Sequence, residues 1–105
     1  MSTFAELLAQ LPSVDHLAAI ELQPDDHGSV IRIENKPGQA GSLRLYHALF
    51  TRFGLIDRAA AEEGLRLYAE HTADARAHPG KHPNIDRLFA IIEGGTAYRV
   101  TLIAN

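Results

Sequence analysis

Histidine and carboxylate side chains gather in residues 70–87, which read EHTADARAHPGKHPNIDR. His71, Asp74 and His78 are spaced i, i+3 and i+7, so a helix would place them on one face, and His82 follows the next turn. Imidazole and carboxylate groups at such spacing can hold zinc or another divalent ion. The spacing matches no established zinc motif, however, and the helix dipole alone favours a histidine at a helix end. We therefore predict no metal ligand and no cofactor, and keep a metal-dependent enzyme built on these four residues as an alternative.

A second polar segment, residues 35–47, reads NKPGQAGSLRLYH and leads from a glycine-rich turn into a predicted helix. Free backbone N–H groups and the helix dipole favour an anion at such a junction. Lys36, Ser42 and Arg44 add hydrogen-bond donors, and His47 shares one polar helix face with Arg44. The segment has neither the phosphate-loop pattern nor the dinucleotide fingerprint. Residues 38–41 match the letters of the GXXG loop of KH domains, but that loop joins two helices, whereas a strand precedes the residues here, so we reject the match. The alternative interpretation of the whole segment is an ordinary strand-to-helix turn.

The corner at residues 79–83, Pro-Gly-Lys-His-Pro, separates the last two predicted helices. Two prolines stiffen such a corner, and Pro79–Gly80 suits a type II turn, which is a sufficient structural explanation. The corner is nevertheless unusually polar, with a histidine whose charge changes near neutral pH. Taken together, the two polar segments predict seven ligand-binding residues: Lys36, Ser42, Arg44, His47, Lys81, His82 and Arg87.

No catalytic template is present in the sequence. The chain has no cysteine, which excludes a thiol nucleophile, thiolate metal sites and disulfides. Its serines, at positions 2, 13, 29 and 42, lie outside any G-x-S-x-G elbow. Ser42 and His47 would diverge on one helix and would not act as nucleophile and base. We therefore predict no catalytic residue and favour a role other than catalysis.

Composition and charge are those of an ordinary globular protein. The 105 residues suit a single domain spanning 1–105, with 46% hydrophobic and 22% charged residues. The formal charge of −3 and the dispersed cations argue against a general nucleic-acid binder. No apolar run approaches the ~18 residues of a membrane span, and Met1–Gln10 lacks the features of a signal peptide. We therefore predict that the protein binds neither membrane nor nucleic acid. Because the chain also lacks cysteine, we predict that it is cytoplasmic.

Hydrophobic periodicity and turn residues divide the chain into helices and strands. Ser42 is the predicted N-cap of the second helix, and the helical glycine Gly64 predicts a close approach of another element. The predicted helices cover about Thr3–Leu11, Ser42–Phe53, Asp57 to near His78, and Pro83 to the residue before Gly94. The predicted strands are Leu17–Leu22, Ser29–Glu34 and Thr96–Ile103.

The order of these elements, α-β-β-α-α-α-β, predicts an α+β fold. The first two strands form a hairpin and are therefore antiparallel, and we expect the last strand to lie beside them. The result is a small antiparallel three-stranded sheet covered by about four helices. A sheet of this size has exposed edges that must be protected or paired. A homodimer through such an edge is therefore a further alternative.

Two phrases of the sequence, IENKPGQAGSLRLYHAL at Ile33–Leu49 and HPGKHPNIDRL at His78–Leu88, carry a resemblance to a known family. The chain resembles a family of short uncharacterised bacterial proteins, a domain of unknown function. The resemblance covers most of the chain, with these phrases as its most specific part. It implies a bacterial source and a stand-alone protein, and it implies no activity and no functional residue.

These observations favour a binding or interaction module. Both polar segments, 35–47 and 78–87, are loops shaped by proline and glycine that flank predicted helix starts. We expect them to converge on one surface that holds a small anionic ligand or a protein partner. The alternatives are the metal-dependent enzyme and the structural homodimer described above.

Overall fold

The computed structural model describes residues 2–105, which form five helices and three strands. The predicted α+β class and the single antiparallel sheet are confirmed. No helix within these residues combines the length and the hydropathy that a membrane span requires. The elements are α1 (Phe4–Ala9), β1 (Leu17–Pro24), β2 (Ile31–Glu34), α2 (Ala40–Phe53), α3 (Arg58–Tyr68), α4 (Glu70–Ala77), α5 (Pro83–Ile92) and β3 (Tyr98–Ala104).

The sheet has the strand order β2-β1-β3, with β1 antiparallel to both neighbours. The predicted hairpin plus C-terminal strand is therefore correct. Ile20 of β1 is the centre of a row that pairs it with Ile33 of β2 on one side and Leu102 of β3 on the other. Helix α2 lies over β1 and β2. The inner face of the sheet thus supplies one side of the core.

The turn into α2 forms as predicted, but the helix starts earlier than predicted. The N–H of Gln39 donates to the carbonyl of Lys36 at 2.9 Å, and Gly38 has a φ of +89°, as the second central residue of a type II turn requires. The helix begins at Ala40 with Gln39 in the capping position. The predicted N-cap role of Ser42 is therefore wrong, because the turn ends at Gln39, three residues earlier.

The helix predicted from Asp57 to near His78 is broken at Ala69, which separates α3 from α4. Ala69 has φ 52° and ψ −119°, a conformation that L-residues rarely adopt. The break leaves the carbonyl of Leu65 without its helical donor, and the hydroxyl of Thr72 donates to it at 2.6 Å. No glycine or proline marks this position, so the helical periodicity continued through it without a signal.

The predicted close approach at Gly64 is confirmed. A Cβ added at Gly64 would lie 2.7 Å from Cδ1 of Leu88 in α5 and 3.0 Å from Cδ1 of Leu49 in α2. Leucine methyl groups of α2 and α5 therefore occupy the space that a Cβ at Gly64 would need, so α3 packs closely against both helices. The buried apolar side chains of these helices and of β1 form one cluster, in which Leu45, Leu49 and Leu88 are at most 1% exposed.

Candidate functional site

The two polar segments meet in space and form the walls of one cleft of about 370 Å³. Gly38, Gly41 and Ser42 come from the first segment and the start of α2. Residues 81–85 come from the second segment and the start of α5. The beginnings of two helices that are far apart in the sequence therefore face the same cavity.

The wall formed by α2 carries unused hydrogen-bond donors. Within residues 2–105, neither Gly41 nor Ser42 has an acceptor for its backbone N–H, whereas the N–H of Ala40 donates to the carbonyl of Lys36 at 2.8 Å. The first N–H groups of a helix point beyond its start and need a partner from outside the helix. The capping residue Gln39 supplies none, because its side chain accepts from the N–H of Glu34 instead. These donors remain free to meet a ligand.

The wall formed by α5 has a similar gap in its hydrogen bonding. His82 occupies the N-cap position without a side-chain cap, and Pro83 follows with no N–H of its own. In the part of the chain that the structure describes, the N–H of Asn84 has no acceptor, although Ile85 and Asp86 both donate to the carbonyl of His82. Asn84, which lines the cleft, therefore has one free donor.

A buried network fixes the position of Asn84. The hydroxyl of Tyr46 donates to the Asn84 carbonyl and accepts from Nη1 of Arg87 at 3.1 Å. The same guanidinium nitrogen donates to Oδ1 of Asn84 at 2.9 Å. Because Tyr46 is completely buried, desolvation raises the pKa of its phenol to about 12. The hydroxyl therefore stays protonated and remains a donor.

Three basic side chains lie close to the carboxylate of Asp74 in α4, behind the cleft. This carboxylate lies 2.6 Å from Nε2 of His82, 3.0 Å from Nζ of Lys81 and 3.3 Å from Nδ1 of His78. The hydrogen bonds from His82 and Lys81 hold the pKa of Asp74 well below its usual range. Asp74 is thus ionised throughout the physiological range and orients the two side chains that line the cleft.

Aromatic rings close the remaining side of the cleft. Phe4 of α1 stacks on Tyr68 with ring centroids 5.4 Å apart and meets His71 edge-on at 5.1 Å. The Tyr68 hydroxyl donates to Oγ of Ser42 at 2.7 Å, and burial raises the pKa of this phenol far above its ordinary value. The Glu70 carboxylate fixes α1 by accepting the N–H of Phe4 at 2.7 Å. The cleft therefore has polar walls and an aromatic side.

The structure divides the seven predicted ligand-binding residues into three groups. Ser42, Lys81 and His82 line the cleft. Arg87 lies behind it and positions Asn84. Lys36, Arg44 and His47 lie elsewhere.

Each residue outside the cleft has a different structural role. Lys36 pairs with Glu34 at 2.6 Å on the surface. Arg44 donates from Nε to the Pro12 carbonyl at 3.1 Å and from Nη2 to the Leu11 carbonyl, so it fastens the end of the α1 segment. His47 is buried against His16. The predicted polar face shared by Arg44 and His47 is therefore wrong, because α2 turns His47 into the core.

The histidines of the second segment do not form a metal centre. Asp74 does approach His78 and His82, but the ammonium of Lys81 shares the same carboxylate oxygen with His82. His71 instead packs against Phe4 and, at 5.8 Å between ring centroids, against His82. Among residues 2–105, no three histidine, aspartate or glutamate side chains are arranged to hold a metal ion. The geometry thus gives no support to the metal-dependent alternative.

Most of the residues that line the cleft were not predicted as ligand-binding, and Phe4, Tyr68 and Asn84 are among them. The spacing of Phe4 and Tyr68 indicated apolar helix faces, which they do form, and the cavity exists only where those faces meet. Asn84 lay inside the predicted segment, but its own side chain gave no sign of a binding role. A signal for Asn84 was its place directly after Pro83, where a helix start leaves N–H groups free.

Comparison with known proteins identifies the family. A family model described as uncharacterized protein conserved in bacteria (DUF2322) matches residues 4–102. The chain belongs to this bacterial family, as the resemblance in the two polar phrases predicted. No curated protein and no solved structure matches the chain.

Proposed function

We propose that this member of the DUF2322 family is a binding protein that holds a small phosphate- or carboxylate-bearing molecule in the cleft between the starts of α2 and α5. The observation that carries the proposal is the convergence of the two polar segments on one cavity with Lys81 at its rim. Free N–H groups at two helix starts and one ammonium group are donors to which an anion binds well.

The size of the cleft limits the ligand to a small molecule. Its volume of about 370 Å³ lies at the lower end of the range of small-molecule sites, about 300–1,000 Å³. Phe4 and Tyr68 on the aromatic side can pack against an organic part of the ligand, while the polar walls take its charged group. A phosphorylated or carboxylated metabolite meets both requirements.

Charge also favours a small anion over a large one. The side chain of Lys81 is 58% exposed while it pairs with Asp74, so solvent and solutes have access to it at the rim of the cleft. The formal charge of the whole chain is −3, which repels an extended polyanion such as nucleic acid. We propose binding without catalysis, in the cytoplasm, where a protein stabilised by packing without disulfides is expected.

Titration of the protein with inorganic phosphate, followed by amide NMR shifts, tests the site. We expect shifts at Gly41, Ser42 and Asn84 together. Replacing Lys81 with glutamine should weaken phosphate binding about tenfold, because a charge-assisted hydrogen bond contributes on the order of 1.5 kcal/mol. Lys36→Gln removes an exposed lysine outside the cleft and is the matched control, so its affinity should equal that of the wild type.

Two results would contradict the proposal. Equal weakening by Lys81→Gln and Lys36→Gln would indicate general charge attraction in place of a site. Shifts absent from both helix starts, with phosphate and then with a pool of phosphorylated and carboxylated metabolites, would show that the cleft binds no small anion.

A further inference from the structure

Strand β3 is an edge strand whose outer side has unpaired backbone groups. Both the N–H and the carbonyl of Tyr98 bond to Ile56, on the side away from β1, at 3.0 and 2.9 Å. Backbone groups alternate sides along an antiparallel strand, so Val100, Leu102 and Ala104 direct their N–H and carbonyl groups to the same outer side. Within residues 2–105, no strand covers this side of β3 beyond the bridge at Ile56.

The same edge also exposes apolar side chains. Leu102 is 38% exposed, although it belongs to the inner row of the sheet together with Ile20 and Ile33. The helix α2 lies over β1 and β2 and leaves the end of β3 open. An edge that combines unpaired backbone with apolar side chains is prone to pair with another strand.

The opposite edge of the sheet is protected by comparison. Strand β2 has only four residues, and its charged side chains Arg32 and Glu34 pair with each other at 3.3 Å. Lys36 adds a further charge beside Glu34 at 2.6 Å. Short length and charge are the usual means by which a sheet edge avoids pairing. In contrast, Arg99 is the single charged residue of β3.

We propose that two copies of the chain form a homodimer by antiparallel pairing of β3 with β3, with Leu102 on the two-fold axis, so that the two sheets join into one. In this register Leu102 exchanges hydrogen bonds with Leu102 of the partner subunit, and Val100 with Ala104 of the partner subunit. Every outward N–H and carbonyl of these residues then has a partner.

The side chains agree with this register. On the inner face, Leu102 meets its own copy and Val100 lies opposite Ala104 of the partner subunit, which covers the exposed apolar edge. On the outer face, Thr101 lies opposite Ile103 of the partner subunit. Arg99 lies opposite Asn105 of the partner subunit, so no like charges face each other.

The bridge at Ile56 disfavours the neighbouring register. Centring the pair on Thr101 would place Ala104 of the partner subunit opposite Tyr98, whose outward N–H and carbonyl already bond to Ile56. The bridge therefore opposes every register that brings the partner strand alongside Tyr98. The proposed interface and the cleft share no residue, because none of the residues that line the cleft belongs to β3. Anion binding and dimerisation can accordingly succeed or fail independently.

Sedimentation equilibrium over a concentration series, combined with amide hydrogen exchange, tests the dimer. We expect a mass of twice 11.5 kDa and slow exchange at Val100, Leu102 and Ala104, whose N–H groups are free in the monomer. Leu102→Lys places two like charges on the axis and should halve the mass. The matched control Val30→Lys changes the other exposed large hydrophobic residue, which is 51% exposed beside the β2 edge, and should leave the dimer intact.

Each alternative result overturns the proposal. A wild-type mass of 11.5 kDa at all concentrations, with fast exchange at residues 100, 102 and 104, would show that β3 stays unpaired. A dimer that survives Leu102→Lys and dissociates with Val30→Lys would place the interface on the opposite edge. The exchange measurement uses the unmodified protein, so it decides the question even where a variant fails to fold.

Discussion

His47 is a titratable side chain held in the core by α2. It is 7% exposed, and within the described residues its Nδ1 has no hydrogen-bond partner. Burial, with a smaller contribution from the neighbouring His16, lowers the pKa of its imidazole below the ordinary 6.5. The neutral form is therefore the one that the fold accommodates.

This burial predicts a pH dependence of stability. Between pH 6.5 and the lowered folded-state pKa, the unfolded chain binds a proton at His47 more readily than the folded chain does. The stabilisation is thus complete above pH 6.5 and is lost as the pH falls towards and through the lowered folded-state pKa. Urea unfolding at a series of pH values should reveal this decline, and His47→Phe should flatten it in that window.

His27→Asn is the matched control for this experiment. His27 lies in an exposed turn with φ 65°, and asparagine tolerates a positive φ well. The control should keep the decline of the wild type. A His47→Phe variant with an unchanged decline would assign the pH dependence to another group.

At the residue scale, the sequence predicted which side chains can donate hydrogen bonds, but not which groups accept them. Lys81 and His82 line the cleft as expected, whereas Arg44 reaches the carbonyls of Leu11 and Pro12. Arg44 was predicted to bind a ligand because its type and spacing suited that role. Its actual partners lie more than thirty positions earlier in the chain, where no local pattern could place them.

At the scale of elements, Gly64 marks where α3 contacts two other helices. Replacing it with alanine gains about 1 kcal/mol of helix propensity but places the Cβ against the leucine methyl groups of α2 and α5. Overpacking of this kind costs about 1–3 kcal/mol. We expect a net loss of about 1 kcal/mol in the free energy of unfolding, measured by urea denaturation.

Gly41→Ala provides the comparison, since its Cβ would meet Phe4 and Leu8 at an ordinary 3.5 Å. This change should be neutral or stabilise the fold by up to about 1 kcal/mol, through helix propensity and a less flexible unfolded chain. If Gly64→Ala stabilised the protein as much as Gly41→Ala, the packing of α3 would be looser than described.

The elements themselves were largely predictable, since most of them have a regular apolar pattern and a proline or glycine near a boundary. The hairpin, the last strand and the helices on either side of Pro79–Gly80 all follow such signals. The break at Ala69 did not, because the backbone changes direction at a residue with good helix propensity. There the tertiary contacts of α4, which bury Thr72 and Ala75, override the local preference.

For the whole molecule, the cleft depends on packing that no single segment specifies. Its two polar segments were predicted from their composition, and their convergence was an expectation that the structure bears out. The aromatic side was not foreseen, since it requires α1 to lie against α3 and α4 through Phe4. A sequence pattern identifies such residues as apolar without indicating which of them border a cavity.

The central position of β1 has a consequence for how the chain acquires its structure. One neighbour of β1 is close in the sequence, since Ile20 pairs with Ile33, and the other is distant, since Ile20 also pairs with Leu102. Bringing distant segments together is slow compared with forming a hairpin. During synthesis, one side of β1 therefore stays without its partner until most of the chain has emerged from the ribosome.

Refolding followed by pulsed hydrogen exchange can detect this order within a single strand. Because backbone groups alternate sides, the amides of Ile20 and Leu22 bond to β2, whereas those of Glu21 and Gln23 bond to β3. We expect Ile20 and Leu22 to become protected first and their odd-numbered neighbours later. Simultaneous protection of all four would mean that the sheet assembles in one step, and a nascent chain would then have no early hairpin to shield its most apolar strand.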